Sequence, residues 1–212
     1  MKESTRMILT ELSARYPVLK GVEKDVEKSF EIMKECFVSG GTLYLCGNGG
    51  SSADCEHIAG ELMKRFKKDR PLNEALVCEL KKYGEEGQVL MEGLEGGLSV
   101  VSLCGHFAFS TAYQNDKNPM FTFAQQVNVW GRKGDVLLTL STSGNSKNCV
   151  YASLTAKAKG MQVVALVGGN GGALKGIADS AIVAPEKETF KVQELHLPIY
   201  HCLCAMLEEE LF

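Results

Sequence analysis

Thr42-Leu43-Tyr44-Leu45-Cys46-Gly47-Asn48-Gly49-Gly50-Ser51-Ser52-Ala53-Asp54-Cys55-Glu56-His57-Ile58-Ala59-Gly60-Glu61-Leu62 is the stretch whose reading decides the fold. Thr42 to Cys46 is a short apolar run with the look of a buried strand. Gly47, Asn48, Gly49 and Gly50 then force a tight turn, because glycine tolerates positive φ and close backbone approach. Ser51, Ser52 and Asp54 offer N-cap chemistry, and the residues from Ala53 to about 66 carry good helix formers. A strand, a glycine turn and a helix N-terminus together present backbone N–H groups and a positive dipole end to an anion. His57 and Glu61, four residues apart, share one face of that helix. The turn is not a nucleotide fingerprint, since Ser52 stands where Gly-x-Gly-x-x-Gly needs its third glycine.

Working outward, residues 3–14 and 18–38 read as helices. The second carries Val18, Leu19, Val22, Val26, Phe30, Met33 and Phe37 as an apolar stripe. With no strand before it, that stripe is expected to pack between subunits of a homotetramer. Residues 72–98 are punctuated by glycine yet keep frequent leucines, as expected of an insertion with fixed structure. Strands follow at 100–104, 136–140, 161–167 and 181–183, alternating with helices at 121–130, 147–159, 172–178 and 189–211. That alternation predicts a parallel sheet covered on both faces, with ligands beyond the carboxyl ends of the strands.

Composition narrows the function. With 212 residues, 45% hydrophobic and 23% charged, the chain fits one domain with a sizeable core. A net charge of −3 gives no sign of a basic nucleic-acid surface, so no nucleic-acid partner is expected. Any bound phosphate must be held by local amides and hydroxyls. The eight cysteines include no Cys-x-x-Cys pair, and Cys202-x-Cys204 reads as core packing. With neither a signal peptide nor a membrane-length apolar run, a reducing cytoplasm is the expected setting.

The strand at 136–140 runs into Ser141-Thr142-Ser143-Gly144-Asn145-Ser146, which sets four hydroxyls at a strand end and helix start. These suit a cradle for a sugar phosphate. Together with Gly47–Glu61, Asn115-Asp116 and Gln193-Glu194-x-His196-x-x-x-x-His201, this turn resembles the SIS (sugar isomerase) family. The resemblance implies a flavodoxin-like three-layer α/β sandwich with an N-terminal helical arm, the whole chain being one SIS domain with helices in 1–39 and an insertion at about 72–98. It implies a homotetramer and an aldose–ketose isomerase acting on D-sedoheptulose 7-phosphate and D-glycero-D-manno-heptose 7-phosphate. Residue by residue, it implies that Asn48, Gly49, Gly50, Ser52, Ser141, Thr142, Ser143 and Ser146 hold the ligand and its phosphate. Asn115 and Asp116 address sugar hydroxyls. Glu61 and His201 form the acid/base pair, and His57, Glu61, Gln193 and His201 match the residues that bind zinc, with Glu61 and Gln193 also touching substrate. Some members of the family, similar to the DnaA initiator-associating protein, share the fold without the acid/base pair.

The chemistry suits these residue types independently. A ketose–aldose isomerisation moves one proton between two carbons and another between two oxygens, which asks for a base and an acid with pKa values near neutrality. A carboxylate and an imidazole meet that need. Glu61 belongs to both sets, and one carboxylate cannot be a tight ligand and a free base at the same moment. Pro198, between Gln193 and His201, is expected to kink the last helix and pull His201 away from Gln193.

Overall fold

The structure is a computed structural model that describes all 212 residues. In chain order the elements are α1 (Glu3–Arg15), α2 (Glu23–Val38), β1 (Leu43–Gly47), α3 (Gly50–Met63), α4 (Glu74–Leu80), α5 (Gly84–Gly93), β2 (Val100–Ser102) and α6 (Phe107–Asp116). They continue with α7 (Thr122–Trp130), β3 (Val136–Ser141), α8 (Lys147–Ala158), β4 (Gln162–Gly168), α9 (Gly172–Ile177), β5 (Ser180–Ala184) and α10 (Thr189–Leu211). The five strands form one sheet in the order β2-β1-β3-β4-β5, every pairing parallel. This is the flavodoxin-like order, and its topological switch point lies between β1 and β3. Both polar turns, 47–52 and 141–146, leave the carboxyl ends of those two strands.

Strand alternation sorts the core into two layers. Leu43, Leu45, Leu138, Leu140, Val164 and Leu166 face α1, α2, α3 and α10. Tyr44, Cys46, Leu137, Val163, Ala165 and Val167 face α7, α8 and α9. Seven of the eight cysteines are buried or half-buried, Cys78 alone is exposed, and none is in a disulfide.

Four expectations are corrected. The helix expected over 18–38 begins as a 3-10 turn at Pro17–Val22, whose three-residue repeat buries Leu19 and Val22 and leaves Val18 52% exposed. The stripe of Val22, Val26, Phe30 and Met33 is buried inside the chain's own core, against β5 and α10 among others, and so gives no support to self-association. α3 starts at Gly50 and ends at Met63, with Gly49 (φ +55°) at its N-cap and no side-chain cap bond, so Ser51, Ser52 and Asp54 lie within the helix. Its C-terminus is set by a buried ion pair. The Glu208 carboxylate accepts from the N–H groups of Phe66, Lys67 and Lys68, while Arg70 donates to Glu208 and to the carbonyls of Glu61 and Leu62. Finally, α10 runs without interruption through Pro198. The proline removes one bond to the carbonyl of Glu194, an exposed residue, while its own ring is buried.

Residues 72–98 fold as α4, a 3-10 turn and α5, with Asn73 capping α4 by accepting from the N–H of Ala75. Glu209 and Glu210 at the end of α10 fasten the N-terminus, the Glu209 carbonyl accepting from Lys2 Nζ and Glu210 accepting from the Lys2 N–H and the Thr5 hydroxyl.

Candidate functional site

The first turn is shaped by glycine at two points where nothing else fits. Gly49 has a left-handed φ of +55°, and a Cβ on Gly47 would lie 2.7 Å from the carbonyl oxygen of Ser51. The second turn is clamped by a third loop, 168–172. A Cβ on Gly144 (φ +66°) would fall 2.0 Å from the Gly171 carbonyl oxygen, and the Leu174 N–H donates to the Gly144 carbonyl. Asn145 completes the clamp, its Oδ1 accepting from the Ala173 N–H.

A reciprocal amide pair ties the two turns together across the switch point. Asn48 Nδ2 donates to Asn148 Oδ1 (2.9 Å), and Asn148 Nδ2 donates to Asn48 Oδ1 (2.7 Å). Asn148 is a site residue the sequence motifs did not point to. The N–H groups of Asn48 and Gly49 on one turn, and of Ser146, Lys147 and Asn148 opening α8, have no acceptor within the chain. Ser146 occupies the N-cap of α8 but does not cap it; its hydroxyl pairs with that of buried Ser141 at 2.9 Å. Ser143 is exposed and its hydroxyl accepts from the Asn145 N–H, while Thr142 and Ser52 are half-buried.

The ionisable cluster stands where α3 meets α10. His57 Nε2 lies 3.2 Å from Glu61 Oε1 and 3.3 Å from His201 Nε2. One ligand atom from each of the three side chains falls within 4.8 Å of the others. Pro198 therefore does not remove His201 from the cluster. Burial, and then the neighbouring His57, hold the His201 imidazole below the usual histidine range, while Glu61 opposes the shift. Gln193 sits two turns earlier on α10, its amide packed over Gly50 so closely that a Cβ there would lie 2.5 Å from Nε2. Behind His57, the Tyr200 hydroxyl contacts Nδ1 at 3.0 Å and donates to Asp54 Oδ1 at 3.2 Å. Burial raises the Asp54 carboxyl, against the Tyr200 bond and His57, which lower it.

The donor set fits a zinc ion. Tetrahedral Zn²⁺ with N and O ligands at about 2.0–2.2 Å requires ligand-to-ligand distances of about 3.3–3.6 Å. The His57–Glu61 (3.2 Å) and His57–His201 (3.3 Å) separations come within about 0.1 Å of that spacing.

Two expected site residues are not drawn in. Asn115 and Asp116 are exposed at the end of α6, bonded to one another (3.0 Å), and α6 packs chiefly on α7 and on the 3-10 turn that precedes α7. His196 is fully buried and apart from the cluster. Its Nε2 donates to the Val167 carbonyl (3.2 Å), Nδ1 has no partner, and burial pushes its pKa down to about 4.

A doubly wound parallel sheet with two hydroxyl-bearing turns at its switch point and a His/Glu/His cluster on the adjoining helices defines an α/β protein built to hold an anionic small ligand beside acid/base groups. The family model of the SIS domain matches residues 15–96 and 99–168, and the chain belongs to that family. It is 36% identical to a phosphoheptose isomerase of Leptospira biflexa over 195 residues, covering 92% of this chain and 88% of the relative. A phosphoheptose isomerase of Akkermansia muciniphila is 32% identical over 212 residues, covering 100% and 99%. Among solved structures, phosphoheptose isomerase GmhA from Neisseria gonorrhoeae superposes with a TM-score of 0.74 at 28% identity, covering 98% of each chain.

Proposed function

We propose that this chain is an aldose–ketose isomerase that interconverts D-sedoheptulose 7-phosphate and D-glycero-D-manno-heptose 7-phosphate. The observation that carries the reading is the placement of Glu61 and His201 together on α3 and α10, the helices whose Gly50 and Gln193 meet at the phosphate turn. Relatives named phosphoheptose isomerase along the whole chain support the seven-carbon substrate.

The phosphate is held by the free N–H groups of Asn48, Gly49, Ser146, Lys147 and Asn148 and by the hydroxyls of Ser52, Ser141, Thr142, Ser143 and Ser146. Local dipoles suffice here, because each donor faces a charged acceptor at a helix start. Glu61 takes the proton from C1 of the ketose, giving an enediol, and returns it to C2. His201, neutral at pH 7, gives a proton to the oxygen on C2 and receives one from the oxygen on C1. The Arg70 guanidinium fixes the backbone at Glu61 by donating to its carbonyl (3.0 Å). If zinc is bound, His57, Glu61, Gln193 and His201 would hold it, and the chemistry it would supply is polarisation of the sugar carbonyl. In a single chain Asn115 and Asp116 stand outside this site, so contact with sugar hydroxyls is proposed for them only across an assembly.

A homotetramer in the cytoplasm belongs to the same proposal. The family resemblance supports the tetramer, and free cysteines throughout the core support the compartment. No helix is long and apolar enough to cross a membrane. The direct test is aldose formation from a stereochemically defined panel of ketose phosphates. Turnover of the seven-carbon ketose above the five- and six-carbon ones supports the reading. Binding without turnover of any of them moves the chain to the non-catalytic branch of the family.

A further inference from the structure

We propose that Tyr200 is a positioning residue that holds the His57 ring by its Nδ1 side, so that Nε2 is the nitrogen turned toward Glu61 and His201; the inference rests on the site reading above. Tyr200 is almost wholly buried, at 1% exposure, and its hydroxyl lies between two groups. It donates to Asp54 Oδ1 (3.2 Å) and contacts His57 Nδ1 (3.0 Å). A phenol carries one proton, and that proton goes to the carboxylate, which when ionised only accepts. The bond to His57 must then run the other way, with Nδ1–H donating to the phenolic oxygen. A neutral imidazole protonated at Nδ1 has its lone pair on Nε2, the nitrogen that faces Glu61 Oε1 at 3.2 Å and His201 Nε2 at 3.3 Å, and a metal ion there would take that lone pair; without the ion the Glu61 carboxylate, which only accepts, calls for a proton on Nε2 as well. Asp54 has no other means of acting on the ring, because its second oxygen, Oδ2, is buried with no partner at all. The order Asp54, Tyr200, His57 is thus a chain of donors and acceptors with one consistent direction. Metal-bound histidines commonly have their other nitrogen fixed by such a partner, and losing it costs about 10–100-fold in metal affinity.

The sequence does not reveal this role. Tyr200 follows Val192 and His196 at four-residue steps along the buried stripe of α10, where a tyrosine reads as core.

The test uses the full-length protein and zinc alone as the probe, so that its outcome is independent of whether the substrate assignment is right. Tyr200→Phe keeps the ring and removes the hydroxyl. Asp54→Ala keeps the hydroxyl but frees its proton to turn toward Nδ1, and serves if the first variant does not fold. In both, zinc affinity measured by competition with a chelating dye is expected to fall about 10–100-fold. In the zinc-loaded protein the His57 Nδ1–H is expected to be hydrogen-bonded and slow to exchange in the parent and to exchange faster in Tyr200→Phe, which keeps the ring. Lost packing with the acceptor retained leaves that exchange where it was. Parental zinc affinity in the folded variants, or zinc bound through Nδ1 of His57 in the parent, overturns the inference.

Discussion

Gly50→Ala separates the function of the first turn from its stability. Gly50 opens α3 with an ordinary φ, so alanine meets no backbone strain there. A helix position changed from glycine to alanine gains up to about 1 kcal/mol in propensity. The three nearest atoms to the new Cβ all belong to one side chain: Gln193 Nε2 at 2.5 Å, Cδ at 3.0 Å and Oε1 at 3.1 Å. An ordinary contact needs about 3.5 Å, so the amide must retreat by roughly 1 Å. It does so by rotating, since α10 itself is anchored in the core by Val192, Ile199 and Leu203. A displacement of about 1 Å in a substrate-positioning group costs on the order of 100-fold in rate. The expected outcome is a thermal midpoint equal to or above the parent's, with turnover of sedoheptulose 7-phosphate down by about that factor. Parental turnover in a folded variant would refute the placement of Gln193 in the site. A large drop in midpoint would refute the claim that only a flexible side chain obstructs the methyl group.

Other perturbations probe separate parts of the site and fold. Glu61→Gln and His201→Ala should each lower turnover by about two to four orders of magnitude, with the double variant scarcely worse than either single, as steady-state rates will show. Ser141→Ala with Ser143→Ala should weaken sugar-phosphate binding by about 1–3 kcal/mol in calorimetry, through lost bonds to a charged group. Arg70→Met leaves the buried Glu208 carboxylate without its counter-charge, held only by three backbone N–H groups, and denaturant unfolding should show a loss of about 3–5 kcal/mol. His196 is held neutral by burial, so the unfolded chain takes up its proton first as pH falls. Its contribution to stability is complete above about pH 6.5 and shrinks toward pH 4, by about 3 kcal/mol at most. Replacing it with Gln, which can still donate to the Val167 carbonyl, should flatten the acid limb of stability against pH relative to the parent.

Strand positions and the two cradle turns were legible in the sequence because each rests on a local signal: an apolar run, a glycine cluster, a row of hydroxyls. The His57–Glu61 pair was legible from helical spacing alone. Legibility stopped where a long-range partner overrides local propensity. α3 was expected to begin at its serines, yet it begins at Gly50, and its end is dictated by Glu208, about 140 residues away. Pro198 predicts a kink that carries His201 away, but a buried stripe on both sides of it holds α10 in one piece. The N-terminal stripe seemed to lack a partner because the helix that covers it, α10, is the last element of the chain. Tyr200 and Asn148 carry no local mark of function, since only the fold brings one beside Asp54 and the other beside Asn48.

The most direct test of the central claim is the fate of solvent hydrogen. The purified protein is incubated in heavy water with D-sedoheptulose 7-phosphate, and the recovered sugars are read by NMR at C1 and C2. Proton transfer through an enediol held between Glu61 and His201 predicts deuterium at C2 of the aldose and at C1 of the recovered ketose. It also predicts that Glu61→Gln abolishes both while sugar-phosphate binding persists. Aldose formed without any exchange, or exchange undiminished in Glu61→Gln, would contradict the account.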